Sequence, residues 1–279
     1  MARRAKLDAL GEMKKLLAIV ICLEGMWGVS AIALTVNGLD ISRANFRQIQ
    51  KDSHYPRVEK LFNTVFFKRH FEESGEPSEL LRYLIETAKR YDVPPEAVLG
   101  ALMGEHSMNQ RGAMKQSGEQ GINLFGKAFG KVGEDIVNEV NVRFRGANGQ
   151  ASFGPGQIQP FVAQGMQSEI ERVYPDASEE ERDKYTMKGA FNIMAAYMNY
   201  AANVYEAAGF EGEKSPRYQT ALIVTLYNIG ESWQSFEKRA ERTMEEVEAG
   251  EREGPWLNYF GYWVQKNHNL ISKKIAEAE

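Results

Sequence analysis

Asp92-Val93-Pro94-Pro95-Glu96-Ala97-Val98-Leu99-Gly100-Ala101-Leu102-Met103-Gly104-Glu105-His106-Ser107 is the stretch that decides the fold. The residue before a proline avoids the helical region, and proline itself suits a first turn, so Asp92 to Pro95 ends one helix and starts another. Val98, Leu99, Leu102 and Met103 recur at helical spacing and give the second helix an apolar stripe that carries it to Glu105 near its end. Glu105 follows Ala101 by four and Leu102 by three, so its carboxyl projects beside the buried stripe.

Working outward from this corner, Gly75-Glu76-Pro77 breaks the pattern upstream, and Ser78 caps a helix running through Leu80, Leu81, Leu84 and Ile85 towards Tyr91. Downstream, Met108 to Gln150 is rich in Gly, Asn and charge, with one helix expected over Phe129 to Val140, and reads as an inserted lobe. Ala151 to Pro160 holds too much Gly and Pro for a helix interior and is a shaped loop. Further helices are expected at Gly189 to Tyr205, Tyr218 to Ile229 with Gly230 as a stop, Phe236 to Ala249, and Trp256 to Ala276. The charged run Glu237 to Glu253 reads as a solvated helix face. The cluster Trp256, Tyr259, Phe260, Tyr262 and Trp263 reads as a helix packed on the core, ahead of a sugar-stacking platform. No alternation is long enough for a sheet core. The expectation is an all-α domain over 78–279 with an insertion at 108–150, preceded by an extension over 34–77 in which Phe62, Val65, Phe66 and Phe67 have helical spacing.

The first 33 residues differ in composition: Lys14 and Lys15 precede the apolar run Leu16 to Leu23 and then Ala31-Ile32-Ala33. With a start at Met13 this is the basic, apolar and small-residue order of a signal peptide cleaved after Ala33, and it implies export to a periplasm or cell envelope. Glu24 opposes that reading and favours a buried N-terminal helix. The one cysteine, Cys22, lies in this segment, so a processed chain would carry no disulfide. A net charge of -4 gives no sequence-wide reason to bind nucleic acid.

Three segments, Glu105-His106-Ser107, Gly154-Pro155-Gly156-Gln157-Ile158 and Leu226-Tyr227-Asn228, stand in an order and helical context that resemble lytic transglycosylases and goose-type lysozymes. In that family a Glu-Ser pair ends a buried helix, a Gly-x-x-Gln-Ile/Leu turn lies opposite it, and Ala-Tyr-Asn sits on a later helix. The likeness extends over roughly residues 78 to 275, including the lead-in Ala88 to Pro95. Here His106 intervenes between glutamate and serine, Pro155 replaces an aliphatic residue, and the spacing from Glu105 to Gly154 is longer than usual.

The resemblance implies a lysozyme-like fold that cleaves peptidoglycan glycan strands, with Glu105 as general acid/base. It further implies that Tyr227 donates its hydroxyl to orient Glu105. Gln157 and the backbone of Gly154 to Gly156 would contact the sugar, Ser107 would brace the turn, and Asn228 would join the substrate-binding set. Such an acid must hold its proton near neutral pH, and burial beside Ala101 and Leu102 is expected to raise its pKa, as for the acid of lysozyme. Most glycosidases add a second carboxylate. In lytic transglycosylases the substrate's own N-acetyl and 6-hydroxyl groups take over that role, so the lack of an obvious second acid fits, and anhydro-sugar formation is favoured over hydrolysis. The competing readings are a non-catalytic wall-binding protein on the same fold and a scaffold for envelope secretion or appendage machinery.

Other signals carry less. Gly121 to Ala128 has the outline of a phosphate loop, but Ala128 stands where Ser or Thr must ligate magnesium. His54, His70, His106 and His268 lack metal-site spacing, and neither metal nor cofactor is expected. Glu105 and His106 point about 100° apart on a helix, which argues against a dyad. No Gly-x-Ser-x-Gly elbow is present.

Overall fold

The structure is a computed structural model and describes residues 62–109, 127–128, 130–135, 154–207, 216–229, 233–251, 257 and 259–279. Of the described chain 76% is helix and 3% strand, which places it in the all-α class expected. The leader over 1–33, Cys22, His54, Gly230, Trp256 and most of the 108–150 lobe lie outside the described residues. By its contacts the chain divides into two units. In one, Met1–Gly38 with Asn109–Phe153, residues 130–135 are helical, within the helix expected over Phe129 to Val140. The other, Leu39–Met108 with Gly154–Glu279, contains all that follows.

Helix α1 (Val65–Phe71) is capped by Thr64, whose Oγ1 accepts from the Phe67 N–H at 3.2 Å. It leads into a hairpin of β1 (Glu72–Glu73) and β2 (Glu76–Pro77), antiparallel with Glu72 opposite Pro77. Ser74 and Gly75 both have positive φ there, the requirement of a tight primed turn. The break at Gly75 is therefore a reversal of the chain. Phe62, Phe67 and Phe71 are buried, and Phe71 stacks on Phe191. Phe62, Phe67 and Phe71, which lie in the stretch assigned by composition to an extension, thus join the main core.

Helix α2 (Glu79–Arg90) starts as expected at Ser78, whose Oγ accepts from the Leu81 N–H and donates to the His70 carbonyl, tying α2 to α1. It ends with the Val93 N–H on the Ala88 carbonyl and the Asp92 N–H on the Lys89 carbonyl, around Asp92 at φ +53°. That is a Schellman closure with aspartate in the usual glycine position. Past this corner runs α3 (Pro95–Asn109). The sequence suggested a one-sided stripe, but Ala97 to Gly104 are all buried. Glycines at 100 and 104 explain the difference. A Cβ on Gly100 would stand 2.9 Å from Val264 Cγ2, and one on Gly104 would stand 2.5 Å from the Phe260 ring, so α3 presents a bare second face.

Next come α4 (Pro160–Gly165), α5 (Gln167–Val173) and α6 (Glu179–Arg182), then α7 (Met187–Ala207), α8 (Pro216–Ile229), α9 (Trp233–Glu248) and α10 (Tyr259–Ala276). Helix α7 is the hub: it touches α2, α4, α5, α6, α8 and α9, and is continuously buried from Gly189 to Met198. At about 1.5–3 kcal/mol for each large apolar side chain buried, this one helix anchors much of the core. Helices α8 and α10 pack against each other, and a Cβ on Gly261 would fall 2.2 Å from the Ala221 carbonyl oxygen. On α9, Glu237, Lys238, Glu241, Arg242 and Glu245 are exposed while Ala240 and Thr243 are buried, the solvated face expected. Phe260 and Trp263 are core residues, as the aromatic cluster suggested. Among the described residues, no helix is long and apolar enough to cross a membrane.

Candidate functional site

Glu105 is the first residue after the buried run of α3 to be partly exposed. Helix α8 brings two consecutive residues towards it. The Asn228 side-chain amide donates to Glu105 Oε1 at 3.3 Å. The Tyr227 hydroxyl donates to the carbonyl of Gly156. Burial first, and the neighbouring Glu105 charge second, hold the Tyr227 phenol well above its usual pKa, so it is a neutral donor. Its ring meets Tyr197 of α7 edge-on, with centroids 6.1 Å apart.

Opposite stands the turn Gly154–Gln157, in which the Gln157 N–H and the Gln157 side-chain amide both donate to the Gly154 carbonyl, at 3.1 and 3.2 Å. Gly154 is required twice over: its φ is +72°, and a Cβ there would lie 1.9 Å from the Lys184 carbonyl oxygen. At Gly156 a Cβ would crowd Met194 Sδ at 2.9 Å. Pro155 takes the second position of the turn, where its fixed φ fits. Gln157 itself sits at φ +51°, a left-handed conformation that costs a non-glycine residue about 1 kcal/mol or more. Ser74 and Asp92 adopt the same conformation at the hairpin and at the end of α2.

The three segments singled out in the sequence thus converge, with Glu105 tied to Asn228 and Tyr227 tied to Gly156. One expected contact is different. Tyr227 was to orient Glu105, but a phenol has one proton to give, and here it goes to the turn while the next residue reaches the carboxyl. The side chains of His106 and Ser107 lie outside those described, so the bracing role expected of Ser107 has no geometry here. Sequence reading missed the Gly100-x-x-x-Gly104 face that seats α3 on α10, although its i, i+4 spacing was there to be read.

A second carboxylate of the same unit makes a useful contrast. Glu181, only 8% exposed, accepts from the Ser178 N–H and Oγ at 2.9 Å each, from Tyr83 at 2.9 Å and from Tyr174 at 3.2 Å. Burial pushes its pKa up, but these donors outweigh burial and bring it down to about 2. Fully buried Asn192 donates to the Tyr83 hydroxyl at 2.8 Å and closes the network against α7. Separately, a groove of about 380 Å³ between α5 and α7 is lined by Met166, Glu169, Arg172, Asn199 and Tyr200 among others, and none of the residues singled out for chemistry lines it.

Among the described residues, no group of three or more His, Cys, Asp or Glu could hold a metal ion. A carboxyl at partial exposure, with one oxygen held by an amide, can both give and take a proton. No protein-family model, no curated protein and no solved structure matches the chain.

Proposed function

We propose that this chain is an exported protein with a lysozyme-like helical domain that cleaves the glycan strands of peptidoglycan, using Glu105 as general acid and then as base. The observation that carries the reading is the meeting of three segments at one point. Asn228, 123 residues from Glu105, bonds its carboxyl, and Tyr227, 71 residues from Gly156, bonds the facing turn. Chance matches to short motifs have no reason to converge in space.

In this reading Glu105 protonates the glycosidic oxygen, the bond from that oxygen to C1 breaks, and the leaving sugar departs as an alcohol. The substrate's N-acetyl group stabilises the positive charge at C1. The Glu105 carboxylate then takes the proton of the substrate's 6-hydroxyl, whose oxygen closes on C1 to give a 1,6-anhydro sugar and restores the acid. Gln157 and the turn backbone line the sugar side, and Asn228 and Tyr227 hold the two walls.

The deciding experiment is mass spectrometry of soluble products from purified peptidoglycan treated with the protein or its Glu105→Gln form. Anhydromuropeptides from the unaltered protein alone are expected. Reducing-end products would make the reaction hydrolytic. No product across a broad pH range and several wall types would overturn the enzymatic reading in favour of a wall-binding scaffold.

A further inference from the structure

We propose that Asn228, rather than Tyr227, bonds and orients Glu105, and that Tyr227 serves the other wall of the site by holding the Gly154–Gln157 turn. Consecutive residues on the last turn of α8 would thus divide two tasks, where the family resemblance gives the orienting of Glu105 to Tyr227 and the bracing of the turn to Ser107.

The assignment follows from counting protons and lone pairs. Tyr227 has one hydroxyl proton, and it lies on the Gly156 carbonyl. Buried as it is, and beside the Glu105 charge, the phenol keeps that proton across the working pH range. Asn228 Nδ2 is a donor only, so Glu105 Oε1 must accept from it. The amide thus fixes where the carboxyl stands, and the helix that sets the amide also sets the turn. Asn228 is a positioning residue in this scheme, acting on bond making only through Glu105.

The inference rests on the proposed role of Glu105 for its effect on turnover, but its physical content can be tested without substrate. Side-chain carbon NMR of the full chain, with the Glu105 signal identified by its loss in E105Q, follows the titration of that one carboxyl. A donated N–H favours the charged form, so N228L is expected to raise the Glu105 midpoint by roughly one pH unit. N228D keeps the shape, removes the donor and adds a like charge; it should raise the midpoint at least as far, and it covers the case in which N228L folds poorly. Y227F should leave the midpoint within about 0.3 unit of the original, an effect well below that of losing a direct donor, while the Gln157 amide loses protection from hydrogen exchange.

An unchanged midpoint in both Asn228 variants would overturn the proposal. A downward shift would do the same, since it would mean that the amide oxygen takes the Glu105 proton. So would a Y227F shift as large as that of N228L. If the titrations behave as expected while no form releases any muropeptide, the division of tasks stands and the glycan-cleaving reading fails.

Discussion

The Glu181 corner and the Glu105 corner each hold a carboxylate at the edge of the same core, and they treat it in opposite ways. Glu181 is surrounded by short donors from Ser178, Tyr83 and Tyr174, and is held as an anion down to about pH 2. Glu105 receives a longer 3.3 Å bond from an amide and stands partly exposed. Saturating a carboxylate with donors makes it a fixed strut, because every proton it might accept would displace a hydrogen bond. A carboxyl left partly in water can change charge at less cost, which proton transfer requires.

The sharpest way to break this contrast is to neutralise each carboxylate in turn. Glu105→Gln is expected to lower the rate of muropeptide release by about 10²–10⁴-fold with little change in melting temperature. Glu181→Gln should leave the turnover of folded protein nearly intact. A Glu181→Gln protein that folds normally and releases nothing would reverse the two roles.

Stability gives the next largest effect. The folded pKa of Glu181 lies below its ordinary value of 4.5, so its contribution is complete above that pH and is lost as the pH falls towards about 2. A shift of this size corresponds to at most about 3.4 kcal/mol, reduced by solvent screening. Denaturant unfolding should show the unaltered protein weakening over that acid window and Glu181→Gln already weakened at pH 7. Equal stability of the two proteins at neutral pH would dismiss the strut.

Two smaller effects concern the turn that faces Glu105. Gly154→Ala places a methyl group into the Lys184 carbonyl at an unfavourable φ, and a loss of about 2–3 kcal/mol is expected by chemical denaturation. Gln157→Gly relieves left-handed strain but loosens the unfolded chain. These nearly cancel, so stability should stay within about 0.5 kcal/mol while muropeptide release falls. A fully active Gln157→Gly protein would mean that the strain serves no site.

What the sequence made legible was whatever is decided locally. Ser78 announced its helix because a hydroxyl there satisfies a free N–H, and the Asp92 corner followed from two prolines. Helices α7 to α10 are long enough for their periodicity to be read. Helices α4 to α6 were missed because four to seven residues give barely a turn or two of pattern, although Pro160 at a first turn and the Ser178 capping box mark two of them. That Phe62, Phe67 and Phe71 reach the core was not legible, because composition cannot say which apolar face finds it. At the site, the order of motifs indicated which segments meet. Which of Tyr227 and Asn228 would reach Glu105 depended on how α8 lies against α3 and the turn, and that is fixed only by tertiary packing.

Gly104, immediately before Glu105, rests its bare Cα on the ring of Phe260. Contact repulsion is so steep that this touch works as a gauge between two helices, setting how close α3 comes to α10 beside Glu105. A chain cut before α10 would retain Glu105, Tyr227, Asn228 and the whole turn, yet would lose the surface against which their spacing is measured. The last helix thus belongs to the site through that contact and to the core through Phe260, Trp263 and Val264.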